Sequence, residues 1–380
     1  MKAHRAIVSR REFLLELGAA AAALPLCAAV PKVLAAAGTA PQPSPAHEAL
    51  YFDSLDGKNV RCRLCPRGCV VPDGRRGHCR IRENRGGKYY ALAYGRPCVS
   101  NLDPIEKKPF FHVYPGSKAF SIATVGCNFE CKFCQNWDIS QASPEDVSVP
   151  YRSPADISRM AGKSGAKVVA YTYNEPVVFY EYVADCARAA REAGLGSVMD
   201  SNGFICQEPL KALIPLLSAI KVDFKGFSDT FYRDICGGEL QPVRDTLKTL
   251  AASGLWFEIV VLLIPTLNDS ADEVKRMTEW IARECGPDVP VHFSRYHPDY
   301  KLANVPPTPL ETVQRARDIA LSQGCRFVYL GNVPGDEGQN TYCPSCKLLL
   351  VRRVGYYVAE MKIAGGKCSA CGAKIPGLWG

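Results

Sequence analysis

What this sequence has least of is a long apolar run. Its best stretch, Leu17 to Val30, is short and alanine-rich, too little for a helix that crosses a bilayer, so no stable membrane span is expected. The residues before Cys27, Leu24-Pro25-Leu26, lack the small side chains that a lipid-attachment site wants. Strong net charge is missing as well: the formal charge is +8, and the first 37 residues carry a net three of those units, leaving a mildly basic +5. Eight arginines do crowd between Arg61 and Arg85 against only Asp73 and Glu83, but no aromatic residues interleave with them as single-strand binding requires. Nucleic acid is therefore not an expected partner, and a solvated face is the simplest reading of those arginines. What remains is an ordinary globular composition, 47% hydrophobic and 22% charged, enough for one large core with attachments.

Cysteine is the residue in excess. Of eighteen, eleven fall into three spaced groups, which suits metal better than disulfides. Cys127, Cys131 and Cys134, in CNFECKFC, follow the buried-strand run Ala119 to Val125 at spacings of three and two residues. Three soft thiolates suit a four-iron cluster whose fourth iron stays open for chemistry, whereas structural zinc prefers paired CxxC arms. Cys62, Cys65, Cys69 and Cys79 form a closed four-thiolate set, with Gly68, Pro72, Gly74 and Gly77 supplying turns. Ligand count leaves that set open between an auxiliary iron-sulfur cluster and zinc. Cys343-Pro-Ser-Cys346 and Cys368-Ser-Ala-Cys371, 21 residues apart and joined by strand-like runs, read as a zinc ribbon. The scattered remainder, Cys27, Cys98, Cys186, Cys206, Cys236, Cys285 and Cys325, are assigned no role.

Five segments follow. Residues 1–37 carry Ser9-Arg10-Arg11-Glu12-Phe13-Leu14 and end in Ala35-Ala36-Ala37, a twin-arginine export signal with cleavage expected after Ala37. Residues 38–57 are a linker and 58–112 the four-cysteine module. In 113–335, strands near 119–125, 167–172, 196–200, 219–223, 256–264, 290–294 and 326–330 alternate with helices from Pro154, Pro176, Glu208, Pro242, Ala271 and Pro309. Four of the six place proline at the favoured first helical position. The expected fold is α/β, an incomplete (β/α)6-type barrel open on one side, with residues 336–380 as a zinc-ribbon-like module. In such architectures the chemistry gathers at the carboxyl ends of the strands. Polar groups recur there: the three cysteines, Asn174-Glu175, Asn202-Gly203, Asp223 with Lys225, Pro265 with Asn268, and Arg295 with His297.

The cysteine trio, with Phe133 before its last member, resembles the signature of radical S-adenosylmethionine (radical SAM) enzymes. Together with Cys62 to Arg82, DPIEKK from Asp103, CQNWDISQ from Cys134, YTYNEP from Tyr171 and NVPGDEGQNTYCPSC from Asn332, it resembles the AmmeMemoRadiSam type, relatives of the pyruvate formate-lyase activating enzymes. The resemblance implies a site-differentiated [4Fe-4S] cluster on Cys127, Cys131 and Cys134 that binds S-adenosylmethionine and, given an electron from a low-potential donor, cleaves it to a radical that removes a hydrogen atom. It also implies that Phe133 touches adenine and Glu175 fixes the methionine amino group. Asn174, Asn202, Gly203, Asp223, Lys225 and Asn268 would line the cofactor cleft. The glycines of the GGEP-like motif are absent from YTYNEP.

The substrate implied is a backbone glycine of a partner protein, with a peptide or small molecule handled alongside Memo-like or AMME-type companions as the alternative. Two non-enzymatic readings compete, a metal scaffold and an exported electron carrier. The export signal implies a chain folded and cofactor-loaded in the cytoplasm and then carried out, although S-adenosylmethionine and low-potential electrons are cytoplasmic goods, so action before export stays open.

Overall fold

The strongly apolar runs become the strands of one open sheet in the computed structural model, which describes residues 47–380. The twin-arginine segment, Ala35–Ala37 and the first residues of the expected linker lie outside the described residues. Eight strands stand in linear order: β1 (Val99–Pro104), β2 (Lys118–Ala123), β3 (Val168–Tyr171), β4 (Gly196–Ser201), β5 (Ala219–Asp223), β6 (Trp256–Leu263), β7 (Val291–Arg295) and β8 (Val328–Gly331). From β2 to β8 every neighbour is parallel. The six crossovers carry α1 (Pro154–Lys163), α2 (Tyr180–Glu192), α3 (Gln207–Leu213), α4 (Leu240–Ser253), α5 (Ala271–Glu284) and α6 (Leu310–Ser322). With β1 and β8 each at an edge, the barrel stays open, as expected. Strands covered on both faces read as unbroken apolar runs, and all four residues of β3 are buried.

Three details differ from expectation. The sheet begins at β1, antiparallel to β2, so it starts before residue 113. Its string Val-Ser-Asn-Leu-Asp-Pro has an exposed face and no apolar run, which hides a strand recognisable only through its partner. The chain is also already fixed inside the expected linker: Phe52–Ser54 pairs with Val60–Cys62, and the His47 and Tyr94 rings stack at 3.6 Å. Finally, Pro154 opens α1 and Pro176 opens a short 3-10 turn, but Pro242 is the third residue of α4 and Pro309 the N-cap of α6. Proline is tolerated across the first turn because the N–H groups there have no helical partner.

The C-terminal ribbon, with its hairpin β9 (Leu349–Val354) and β10 (Tyr357–Met361), packs at the amino-terminal end of the sheet. Its Arg353 donates to the carbonyl of Phe111 at 2.8 Å and lies over that ring at 4.0 Å. Beneath it, Glu258 of β6 accepts from the backbone of Phe111 and His112 and pairs with His292 of β7 at 2.7 Å. The ribbon therefore closes the end opposite the polar rim.

Candidate active site

The loop after β2 carries the cysteine trio, and each neighbouring loop holds it in place. Glu130 and Lys132 donate backbone N–H groups to the carbonyls of Cys236 and Ile235, at 2.9 Å each, in the segment after β5. Asn128 donates to the carbonyl of Phe204 (2.9 Å) and accepts from Asn202 (2.8 Å), both after β4. From beyond β7, Lys301 N–H reaches the carbonyl of Lys132 at 3.0 Å. Arg67, from the four-cysteine module, donates to the carbonyl of Asn128 at 2.8 Å and also to that of Gly237. A loop held from four sides keeps its thiols aimed at one spot.

Those thiols sit in surroundings that suit an anionic group. Phe129 N–H donates to Cys127 Sγ at 3.4 Å, and Cys134 Sγ lies 3.3 Å from Ser140 Oγ. The Lys225 ammonium stands 5.8 Å above the Phe133 ring and within electrostatic reach of Cys131. Burial pushes the Cys127 thiol up, an opposing cost that coordination by a cation would remove.

Glu175 is 1% exposed and receives three hydrogen bonds from the chain: Val177 N–H at 3.0 Å, Ser201 hydroxyl at 2.7 Å and Asn202 N–H at 2.7 Å. Burial nevertheless dominates and raises its carboxyl to about 7, the three donors only moderating the rise. Beside it, Asn174 donates to the carbonyl of Gly126 at 2.7 Å, while its buried side-chain oxygen has no partner. That acceptor, one residue before the carboxylate and bound to the residue before Cys127, faces a place where a donor is wanted.

The remaining rim residues divide by how far their own chain occupies them. Asp223 pairs with Lys221 at 2.5 Å and Lys225 at 3.2 Å, and Lys221 also meets Asp200. Burial would raise the Asp223 carboxyl, but the two lysines outweigh it and hold it below the usual range. Asn202 and Gly203 form a tight turn whose N–H groups point at Glu175 and Ser201. Asn268 donates to the carbonyls of Lys225 (2.7 Å) and Leu262 (2.9 Å) and accepts from Ile264 N–H (2.7 Å), so its amide positions the Lys225 loop. Phe133 is 4% exposed, with Phe231 stacked at 6.0 Å. Arg295 donates to the carbonyl of Thr308 at 2.7 Å.

Sequence reasoning passed over Cys236, whose carbonyl lies 4.0 Å from Cys131 Sγ, and over the Asp200–Lys221 pair. Neither has a local motif, and only the fold brings them to the rim. At the other end, the ribbon cysteines converge: all four sulfurs lie within 4.8 Å of one another, with Cys343 and Cys371 at 3.6 Å and Cys346 and Cys368 at 3.7 Å. All seventeen described cysteines are free of disulfides.

With this geometry in view, the family is clear. The model of the radical SAM superfamily matches residues 121–281. The chain is 45% identical over 332 residues to the uncharacterized protein MJ0808 of Methanocaldococcus jannaschii, covering 86% of this chain and 98% of that protein. It belongs to the radical SAM superfamily. Within it the chain is homologous to the pyruvate formate-lyase activating enzymes, being 24% identical to pyruvate formate-lyase 1-activating enzyme of Escherichia coli over 54% of this chain and 89% of that enzyme. Among solved structures, SuiB of Streptococcus suis bound to S-adenosylmethionine is similar in fold, at 11% identity and a TM-score of 0.46 over 60% of this chain and 53% of that one. Membership implies a [4Fe-4S] cluster and S-adenosylmethionine, and an enzyme that does radical chemistry.

Proposed function

We propose that this chain removes a hydrogen atom from a partner protein in the manner of a glycyl-radical activating enzyme, using a cluster on Cys127, Cys131 and Cys134. When bound, the cluster and S-adenosylmethionine supply reductive sulfonium cleavage and the radical that follows. The chain's own residues do the positioning. Glu175 offers its remaining acceptor capacity to the methionine amino group, and the free oxygen of Asn174 takes a second donor from the same end of the ligand. Lys225 faces the carboxylate and cluster charge, and Phe133 gives the adenine an apolar wall. Asn202, Gly203 and Asp223 hold these groups in register, with Asn268 fixing the Lys225 loop from behind.

The observation that carries this reading is the unpartnered, buried Asn174 oxygen beside Glu175, placed by its own amide against the residue preceding Cys127. A protein substrate is favoured by homology to enzymes named as activators of pyruvate formate-lyase and benzylsuccinate synthase. The test is anaerobic reconstitution with a low-potential reductant and S-adenosylmethionine. 5'-Deoxyadenosine should form, should be lost in Cys127→Ala, and should rise when the true partner is added. A loaded cluster that yields none overturns the proposal.

The ribbon holds zinc in this reading. A tetrahedral ion with bonds of about 2.3 Å to sulfur needs sulfurs about 3.8 Å apart, which the 3.6 and 3.7 Å separations match. The export reading of Ser9 to Leu14 joins the proposal, and fractionation of cells producing the full chain tests it.

A further inference from the structure

Thirteen buried side-chain polar atoms lack a hydrogen-bond partner among the described residues, and five belong to one short stretch: Arg67 Nε, His78 Nε2, Arg80 Nη1, Arg82 Nε and Tyr89 OH. All five lie in the four-cysteine module, and of them His78 Nε2 already faces Glu130 Oε1 at 3.5 Å. Buried polar groups are as a rule hydrogen-bonded, so such a concentration points to acceptors that belong to something bound there.

The Tyr89 ring is wholly buried. Its hydroxyl lies 2.7 Å from where a Cβ on Gly77 would sit, and the same point is 3.9 Å from Cys69 Sγ. A side chain at Gly77 would thus fill the space between that hydroxyl and the sulfur. Tyr89 shares its buried cluster with Cys62 and Cys79, and Cys65 and Cys69 pack against it. Arg82, 1% exposed, turns Nη1 to Glu181 and its plane toward Tyr89 at 5.4 Å, within electrostatic reach of Cys62 and Cys79.

Sulfur spacing separates the two metals that four thiolates could hold. Among the described residues, the ribbon is the cysteine group whose sulfurs all come within 4.8 Å of one another. Cys62, Cys65, Cys69 and Cys79 pack in one buried cluster without converging in that way, and neither does the trio Cys127, Cys131 and Cys134. A single ion draws its thiolates to about 3.8 Å. A cluster several atoms across keeps them apart and brings bridging sulfides that accept hydrogen bonds.

We propose that Cys62, Cys65, Cys69 and Cys79 hold a second iron-sulfur cluster, with the Tyr89 hydroxyl and the Arg82 guanidinium directed at its sulfur face. The cage rests on the trio's loop: the Cys79 carbonyl is 2.6 Å from where a Cβ on Gly126 would stand, and Arg67 clasps the carbonyl of Asn128. A cluster held here would stand beside the trio's loop, where it would supply a relay for an electron from a low-potential donor.

The proposal is tested without S-adenosylmethionine, so its failure is distinct from failure of the radical reading. The variant Cys127→Ala/Cys131→Ala/Cys134→Ala, purified anaerobically, should keep about two to four irons per chain with matching sulfide and a brown colour. Loss of all iron, or a second zinc in its place, overturns the proposal. Should that variant fail to fold, the wild type decides: it should hold more iron than the about four of a single cube, and four or fewer overturns the idea. Tyr89→Phe removes a hydrogen-bond donor that stabilises the reduced cluster, so the midpoint potential of this site should move to more negative values in a redox titration. An unchanged potential refutes the assignment of Tyr89.

Discussion

The guanidinium of Arg82 meets the carboxylate of Glu181 at 2.9 and 3.0 Å, and with side chains only 1% and 2% exposed, the two lie almost entirely out of water. This pair joins the N-terminal module to α2, and Glu181 also accepts from Leu50 N–H at 2.7 Å. Arg82→Met strands a buried carboxylate and should destabilise the fold by about 3–5 kcal/mol. Arg82→Met/Glu181→Met should recover much of that loss. Denaturant unfolding of the three proteins checks this, and an equal loss in single and double variants contradicts it.

Gly126, at φ +90°, turns the chain immediately before Cys127 and leaves no room for a side chain beside the Cys79 carbonyl and Ile81. Gly126→Ala carries about 1–2 kcal/mol of backbone strain before the clash is counted. Iron content after anaerobic purification should fall at least several-fold. Normal loading would show that the module yields without disturbing the loop.

The Glu175 carboxyl, raised to about 7 by burial, is largely protonated in the ligand-free site below neutrality. An ammonium group bound beside it favours the carboxylate, so binding expels the proton. Affinity for S-adenosylmethionine should therefore climb as pH rises from about 5 to 7 and level off above. Calorimetry in buffers of different ionisation enthalpy should register proton release below pH 7, and Glu175→Gln should abolish it.

His112 is buried between the Pro376 carbonyl and the Tyr329 hydroxyl, at 2.6 Å each, and burial holds its imidazole down near 4. A histidine depressed on folding stabilises the native state above its unfolded value of about 6.5 and loses that contribution as pH falls toward 4, on the order of 3 kcal/mol in all. His292, likewise lowered by burial, works in the same direction. The ribbon end should loosen first in acid, visible as loss of the Trp256 and Trp379 fluorescence environment between pH 6.5 and 4. His112→Asn should flatten that dependence.

Removal of the ribbon metal should be a local event. Cys343→Ser/Cys368→Ser should lose about one zinc per chain while the iron-sulfur absorbance remains, since the ribbon packs at the end of the sheet opposite Cys127. Simultaneous loss of both would mean that the two ends are coupled through the barrel.

The legible features were those written in consecutive residues. CNFECKFC, the two CxxC arms and the apolar runs of β2 to β8 each announce themselves through spacing, because ligand geometry and two-sided burial act locally. The three bonds to Glu175 were hidden: Ser201 stands next to the recognised Asn202 and Gly203, yet what Ser201 and Asn202 hold lies 26 and 27 residues upstream. The same is true of Asp103 in DPIEKK, which binds Lys107 and Lys108 locally but also takes the Tyr173 hydroxyl at 2.5 Å from the YTYNEP string. Two strings read separately are one network. Tyr89 carries no motif at all, and its importance rests on an unmatched hydroxyl that only three dimensions disclose.

Arg67 touches both the turn that follows Cys127 and the stretch that ends at Gly237. A single side chain of the four-cysteine module thus clasps two loops that Glu130 and Lys132 already join through their backbone. Were the metal proposed for the outer module lost and the module to peel away, both loops would lose that clasp together. Sensitivity to oxygen would in that sense be a mechanical property, set by the weaker of two neighbouring seats.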